Sequence, residues 1–267
     1  MALPLFIVDA FTDRPFAGNP AAVCLLPAWK DEHWLKAVAA EMNLSETAFL
    51  VKKADNFELR WFTPKVEVDL CGHATLASAH IIWQQGLANI GDEIRFATKS
   101  GTLKAHRHGD DIELDFPLKA EEAAEAPPGL AEALGVQPVY VGKNQFDYLV
   151  EVPSEAELRS LTPDFKRLAA VPVRGTIVTS RSADPAFDFV SRFFAPGAGI
   201  DEDPVTGSAH CCLATFWRKR LGKSEFIAYQ ASARGGVVKV RVVNDRALLA
   251  GKAITVVQGQ LTASLHE

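Results

Sequence analysis

The sequence predicts an α+β protein made of two similar halves, each a central helix wrapped by a mostly antiparallel sheet. One observation is an internal repeat: residues 60–64 and 71–75 read RWFTP and CGHAT, and residues 192–196 and 206–210 read RFFAP and TGSAH. The other is that each half contains one helix-length segment that is small or apolar on nearly every side. A helix of that composition must be enclosed by other elements.

The repeat extends over the whole chain. Matching positions stay in order while their offset grows from 126 to 135 residues, pairing Pro27 with Pro153, Phe49 with Ile177, Arg60 with Arg192, and Gly72 with Gly207. Two copies are too few for a solenoid, so the pattern favours duplication of a complete unit. We predict an N-terminal half over residues 1–117 and a C-terminal half over residues 129–267, whose last strand is a candidate to pack on the first half. The acidic, alanine-rich segment between them is predicted as a linker.

Hydrophobic periodicity and turn residues predict the elements of the first half. The order is strand Leu5–Ala10, turn 18–20, strand Ala21–Leu26, helix Asp31–Glu41, strands Thr47–Lys52 and Glu58–Phe62, central helix 73–84, and strands Glu93–Ala97, Thr102–His106 and Asp111–Phe116. The last three alternate polar and apolar residues, as antiparallel strands around a helix do.

The second half repeats this order. The predicted elements are strands Val139–Val141 and Tyr148–Val152, helical turns over Glu155–Leu168, strands Thr176–Thr179 and Phe187–Phe194, helix Ser208–Trp217, and further strands from Glu225 onward. Three cations, at residues 218–220, follow the helix and suit its C-terminal end. The second helix is therefore the counterpart of the first central helix.

Composition and charge are those of an ordinary globular protein: 267 residues, 48% hydrophobic and 23% charged. The formal net charge is -5 and the seven histidines do not cluster, so nothing favours binding to nucleic acid or to an anionic membrane. The N-terminal segment lacks the cationic and apolar regions of a signal peptide, and no stretch approaches the roughly 18 to 20 apolar residues of a membrane span. We expect a cytoplasmic protein that acts on a small molecule.

The cysteines and histidines do not form a recognisable metal motif. The four cysteines contain no C-x-x-C pair and two of them are adjacent (Cys24, Cys71, Cys211, Cys212), so we expect reduced thiols, mostly in cores. His106 and His108 share one face of a predicted strand, but no third ligand has a suitable spacing. The sequence predicts no metal site.

Each central helix is predicted to start at a glycine, Gly72 in the first half and Gly207 in the second. The unpaired backbone N–H groups and the positive end of the helix dipole at such a start favour an anion. A fold doubled in this way has a cleft between its halves. We therefore expect a small carboxylate-bearing substrate.

Glu46 is the candidate general acid and base. It lies at the mouth of a predicted strand, and period-2 counting places it on one face with Ala48 and Leu50. Partial desolvation of a carboxylate on an apolar face favours proton transfer near neutral pH. A glutamate at a strand start is otherwise an ordinary solvated surface residue, so position alone does not decide its role.

Four further residues are interpreted with their structural alternatives. His73 follows Gly72 and is either a first-turn residue bonded to nearby backbone or a side chain of the cleft. Asp203 precedes a proline and is by default a helix N-cap, although it aligns with the approach to the first helix start. Ser208 lacks the surroundings of a nucleophile and is interpreted as a donor at the helix start. Asn19 is most simply a turn former.

Five collinear motifs together resemble the PhzF-like phenazine biosynthesis isomerase family. They lie at residues 8–11 with 16–23, 42–47, 60–64, 71–75 and 203–209, and they span essentially the whole chain in order. The resemblance implies the diaminopimelate epimerase-like fold, with no cofactor and no metal, and commonly a homodimer.

The resemblance also implies roles for individual residues. The glutamate matching Glu46 is the proton shuttle in the family's best understood member, and the residues matching His73 and Asp203 hold and polarise the substrate. Its carboxylate is bound by the helix starts at Gly72 and at Gly207 with Ser208. Three neighbours complete the candidate substrate contacts: Asn19, Cys71 and Thr206.

The chain departs from the phenazine enzyme at Cys71, which resembles the first thiol of the related two-cysteine epimerases. No cysteine precedes Gly207 in the second half, so a two-thiol racemase is disfavoured. We predict a cofactor-independent isomerase that moves a proton on an amino-acid-like or cyclic carboxylate through Glu46. A racemase that uses Cys71 with a carboxylate, and a non-catalytic binding protein, remain the alternatives.

Overall fold

The computed structural model describes residues 2–262, which form two compact units. The first unit consists of the chain up to Asp115 and the chain from Ala250, and the second runs from Phe116 to Leu249. Residues 117–129, predicted as a linker, thus belong to the second unit, whereas the chain from Ala250 to residue 262, predicted as part of the C-terminal half, belongs to the first. Residues 263–267 of that half lie outside the described residues.

The chain contains, in order, β1 (Leu3–Ala10), β2 (Asn19–Leu26), α1 (Glu32–Met42), β3 (Glu46–Lys52), β4 (Phe57–Phe62), β5 (Glu67–Val68), α2 (Gly72–Gln84), β6 (Ile94–Thr98), β7 (Gly101–His108) and β8 (Asp111–Pro117). There follow β9 (Glu122–Ala123), α3 (Leu130–Leu134), β10 (Tyr140–Lys143), β11 (Asp147–Glu151), α4 (Glu155–Ser160), α5 (Phe165–Leu168), β12 (Gly175–Arg181) and β13 (Phe189–Phe194). The last elements are a 3-10 turn (Pro196–Ala198), α6 (Gly207–Leu221), β14 (Glu225–Gln230), β15 (Gly236–Val243), β16 (Arg246–Gly251) and β17 (Ala253–Leu261).

The sheet of the first unit is mostly antiparallel. Strand β1 pairs antiparallel with both β2 and β17, and β3 pairs antiparallel with β4. Strands β2 and β3 are parallel and are joined by α1, as parallel neighbours require a crossover. Both strands are nearly continuous apolar runs because α1 packs on one face, beside Cys24 and Phe49, while α2 packs against β1, β2 and β3.

The predicted central helix of the first half is confirmed as α2. Ten of its thirteen residues are buried, and alanine at positions 74, 77 and 79 lets the surrounding strands approach closely. Its counterpart α6 is longer than predicted, begins at Gly207 and has its three cations in the last turn. Among the helices of residues 2–262, none is both long and apolar enough to cross a bilayer.

The predicted linker is anchored rather than free. Its residues Glu122 and Ala123 form β9, which pairs with β10, and the backbone N–H of Lys119 donates to the carbonyl of Cys211. Glu121 is buried and accepts hydrogen bonds from Thr215 and Lys219. The acidic, proline-bearing composition predicted a free linker, but the buried carboxylate of Glu121 attaches this segment to α6.

Candidate active site

Glu46 begins β3 on the face that α2 covers. In the parallel register Glu46 lies opposite Ala21 of β2, two residues after Asn19. Side chains alternate along a strand, so Asn19 and Glu46 share one face, and Phe49 points to the opposite face towards α1. The side chain of Glu46 is 14% exposed. The predicted placement of this carboxylate on an apolar, largely enclosed face agrees with the structure.

His73, the second residue of α2, meets three side chains instead of the backbone. Its Nδ1 lies 3.2 Å from Nδ2 of Asn19 and 3.6 Å from Sγ of Cys71, and its Nε2 lies 3.3 Å from Oε2 of Glu46. The Nε2 contact is close but does not have hydrogen-bond geometry. Three other candidate residues of the sequence analysis, Asn19, Glu46 and Cys71, thus contact the imidazole of His73.

The imidazole of His73 is neutral at physiological pH. Burial lowers its pKa to about 3, because the charged form would lose its hydration. An amide NH2 group only donates, so Nδ1 accepts from Asn19 and the ring proton sits on Nε2, which faces Glu46. The contact between His73 and Glu46 is therefore between a neutral ring and a carboxyl group, not an ion pair.

Cys71 is the N-cap residue of α2, and its side chain makes no capping hydrogen bond. The carbonyl of Cys71 accepts a 2.5 Å hydrogen bond from Oγ1 of Thr75, which fixes the first turn. The start of α2, at Gly72, is thus left with its positive dipole end uncapped by a side chain. A negatively charged ligand group is the natural partner of such a helix start.

A tight turn places Asn19 beside His73. Gly18 has a φ of +63°, and a Cβ at this position would lie 2.1 Å from the carbonyl oxygen of Ala10, so glycine is required. The buried carboxylate of Asp9 accepts a 2.7 Å hydrogen bond from the backbone N–H of Phe16 and closes the same loop. Asn19 itself is the first residue of β2 and is fully buried, so the interpretation of Asn19 as a turn former is wrong.

An ion pair braces the segment that leads to α2. Arg60 donates two hydrogen bonds to Glu67, of 2.7 and 2.8 Å, and Lys99 lies 2.5 Å from the same carboxylate. These cations lower the pKa of Glu67 to about 2, with the hydrogen bond from Arg60 as the largest cause. Arg60 also lies over the rings of Trp29 and Phe62.

The second unit has its own network at the start of α6. The N-cap is Thr206 and not Asp203, so the default interpretation of Asp203 as the cap is wrong: the helix begins three residues after Pro204. Asp203 accepts a 2.5 Å hydrogen bond from Oγ1 of Thr206. Gln230, which is fully buried, accepts from the N–H of Thr206 and donates to the carbonyl of Asp203.

Ser208 follows Gly207 in the first turn of α6 and accepts a 3.0 Å hydrogen bond from Arg174. Arg174 also pairs with the buried carboxylate of Asp147 and lies over the rings of Phe146 and Phe193. The offset of 128 positions that aligns Phe49 with Ile177 also aligns Glu46 with Arg174. The second unit therefore carries a cation where the first carries the candidate base.

The second unit also repeats the brace. Arg192 donates hydrogen bonds of 2.7 and 2.9 Å to Glu202, as Arg60 does to Glu67 in the first unit. Its remaining nitrogen donates to the carbonyls of Leu158 and Leu161. Each helix start is thus preceded by a segment that one arginine fixes to the sheet.

The buried histidine of α6 makes stability depend on pH. Nδ1 of His210 donates to the carbonyl of Thr206 at 2.8 Å, and burial lowers the pKa of His210 to about 4 despite this bond. In the unfolded chain His210 has an ordinary pKa near 6.5, so between about pH 6.5 and pH 4 it is protonated there but neutral in the folded chain. The free energy of unfolding that His210 contributes is therefore fully present above about pH 6.5 and is lost as the pH falls from about 6.5 to about 4.

We expect this histidine to contribute about 1.4 kcal/mol per pH unit to the slope of unfolding free energy against pH. Urea unfolding between pH 7.5 and 4.5 measures that slope. The substitution His210→Gln should reduce it by this amount, whereas an unchanged slope would contradict the assignment. Burial also lowers the pKa of His73, so we expect His73 to contribute a similar amount to the slope of unfolding free energy against pH.

Comparison with known proteins decides the family. Residues 8–259 match the family described as phenazine biosynthesis-like protein. The chain belongs to the phenazine biosynthesis-like family. A relative from Halalkalibacterium halodurans, named as an uncharacterized isomerase, is 53% identical over 262 residues, which cover 98% of this chain and 99% of the relative.

Solved structures agree with this phenazine biosynthesis-like assignment. A crystal structure of a PhzF-family phenazine biosynthesis protein from Enterococcus faecalis has a TM-score of 0.94 at 39% identity, covering 98% of this chain and 100% of that one. A predicted epimerase from Pseudomonas aeruginosa shares the fold, with a TM-score of 0.77 at 20% identity over 98% of this chain and 100% of its own. The predicted fold class and the predicted isomerase class are both confirmed.

Within this phenazine biosynthesis-like protein, the candidates fall into one group in each unit. Asn19, Glu46, Cys71 and His73 lie together at the start of α2 in the first unit. Asp203, Thr206 and Ser208 lie at the start of α6 in the second unit. That both helix starts face one substrate stays a prediction.

Sequence reasoning missed the residues that support these groups. In the first unit these are Asp9 and Glu67, and in the second Arg174, Glu202 and Gln230. The repeat contained one signal for the two ion pairs, because Arg60 and Arg192 are aligned and each is followed within ten residues by a glutamate. Nothing local indicated Gln230, which reaches Asp203 and Thr206 from a later strand.

Proposed function

We propose that the protein is a cofactor-independent isomerase that moves a proton between carbons of a small carboxylate, with Glu46 as general base and then general acid. One observation carries the proposal: the largely buried carboxylate of Glu46 lies 3.3 Å from a neutral imidazole, next to a helix start without a side-chain cap. A base, a neutral polar partner and an anion site thus adjoin one another.

In the proposed mechanism the substrate carboxylate binds at the N-terminus of α2. Glu46 removes a proton from an activated carbon, so the C–H bond breaks, an O–H bond forms, and the electron pair moves into the conjugated system of the substrate. Glu46 then returns the proton to another carbon as the electrons shift back. The step needs only the carboxylate and a substrate that delocalises the charge.

The neutral state of His73 suits this role. An imidazolium at 3.3 Å would pair with Glu46 and compete with the proton to be abstracted, whereas the neutral ring does not. Asn19 fixes the ring through Nδ1, so the Nε2–H group stays next to the carboxyl group without donating a hydrogen bond to it. We propose that this N–H group polarises the substrate next to the base.

A screen in heavy water tests the proposal. The full-length protein is incubated with small carboxylates, amino acids and cyclic analogues among them, and mass spectrometry measures deuterium uptake. We expect at least one compound to exchange a carbon-bound hydrogen only when the protein is present. A compound that binds tightly but exchanges at no carbon would instead support the alternative of a non-catalytic binding protein.

The second candidate function is an amino-acid racemase that uses Cys71 together with a carboxylate. It is favoured by the position of Cys71, whose sulfur lies 3.6 Å from His73 in the same cluster as Glu46. A racemase would interconvert the enantiomers of a free amino acid and would lose most of its activity in Cys71→Ala. An isomerase that relies on Glu46 alone would exchange hydrogen in that variant.

A further inference from the structure

Glu46, Cys71 and His73 form a set of mixed metal ligands. One carboxylate oxygen, the thiol sulfur and one imidazole nitrogen all lie within 4.8 Å of one another. His73 is 5% exposed, and its Nε2, 3.3 Å from Oε2 of Glu46, makes no hydrogen bond to any residue between 2 and 262. This nitrogen can coordinate a metal ion once its proton moves to Nδ1, the nitrogen that contacts the amide of Asn19.

The three ligand atoms lie close to the separations that one tetrahedral ion requires. Sulfur, nitrogen and oxygen ligands of a single tetrahedral Zn²⁺ are separated by about 3.3 to 3.6 Å, given bond lengths near 2.3 Å to sulfur and 2.0 Å to nitrogen. The observed separations are 3.3 Å from Glu46 to Nε2 of His73 and 3.6 Å from Cys71 to Nδ1. These two separations end at different ring nitrogens. Binding one ion through a single nitrogen therefore requires the ligand atoms, which lie within 4.8 Å of one another, to approach by up to about 1.5 Å.

We propose that this cluster binds one Zn²⁺ ion, which inhibits the enzyme reversibly by occupying the base. On binding, the thiol proton of Cys71 is released to solvent and the ring proton of His73 moves from Nε2 to Nδ1, where the amide of Asn19 turns so that its oxygen accepts it. A water molecule completes the coordination. The donor set selects a thiophilic metal, because Mg²⁺ and Ca²⁺ require oxygen ligands. The inhibition rests on the proposed function of Glu46, whereas the binding of the ion does not.

Binding is tested with Co²⁺ as a spectroscopic probe, on the full-length protein after treatment with a chelator. We expect a thiolate-to-Co²⁺ charge-transfer band that saturates at one equivalent and that Zn²⁺ displaces one for one. Cys71→Ala should abolish the band, and His73→Asn should weaken affinity by more than about 100-fold, a larger loss than for an outer contact. The matched control is Cys24→Ala, which removes another buried thiol of the first unit and should leave the band intact.

The outcomes separate this inference from the proposed function. The inference is overturned if wild-type protein gives no band, or if Cys71→Ala, folded by circular dichroism, keeps it; exchange of substrate hydrogen would then still support Glu46 as the base. If Zn²⁺ saturates the cluster, we expect substrate exchange to fall at least tenfold and to return on adding EDTA. Undiminished exchange at saturation would contradict the assignment of Glu46 as both ligand and proton shuttle.

Discussion

Replacing Glu46 with glutamine is expected to abolish substrate-dependent deuterium uptake. The rate of exchange should fall at least about 1,000-fold, within the range that a positioned general acid and base contributes. The amide has nearly the same shape as the carboxyl group but cannot accept a proton from carbon. Because the change removes no helix start and no contact of Asn19 with His73, substrate binding should remain largely intact.

The control for this variant is Glu58→Gln. Glu58 is a glutamate of β4 in the same unit, but it pairs with Lys53 and with the indole of Trp29, away from α2. Exchange by Glu58→Gln should match the wild-type rate, measured by mass spectrometry at saturating substrate. If Glu46→Gln kept more than a tenth of the wild-type exchange, the shuttle would have to be another group, and Cys71 is the nearest alternative.

The two central helices were predicted well from the sequence because apolar residues on every side of a helix indicate that every side is buried. A helix that is apolar on every side has no position in a globular protein except an enclosed one, and α2 and α6 lie where this argument puts them. The face of Glu46 was predictable for a similar reason, since strand periodicity alone separates Glu46 from Phe49. Both inferences use only the local sequence.

The contacts of the candidate site could not be predicted in the same way. That Asn19 meets His73 depends on how α2 packs on β2, and that Asn19 shares a face with Glu46 depends on the register of β2 against β3. Asn19 also needs the turn that Gly18 and Asp9 hold together. Register is a pairing between distant segments, and no local pattern fixes it. The misinterpretation of Asp203 has the same origin, because Gln230 supplies from a later strand the hydrogen bonds that set where α6 begins.

Arg192→Met is expected to lower the free energy of unfolding by roughly 3 to 5 kcal/mol, as breaking a buried ion pair does. The side chains of Arg192 and Glu202 are only 11% and 19% exposed, so solvent screens the pair weakly. Methionine preserves most of the apolar volume over Phe194 but leaves the carboxylate of Glu202 and two backbone carbonyls without their donor. Urea unfolding followed by tryptophan fluorescence measures the loss.

The repeat supplies a matched comparison in Arg60→Met. This variant should lose less stability than Arg192→Met, because Arg60 is 24% exposed and Glu67 keeps Lys99 at 2.5 Å. The double variant Arg192→Met with Glu202→Gln should regain part of the loss, since it removes the carboxylate that the single change leaves uncompensated. Equal losses in the two arginine variants, with no recovery in the double variant, would mean that side-chain packing and not the ion pair holds the segment before α6.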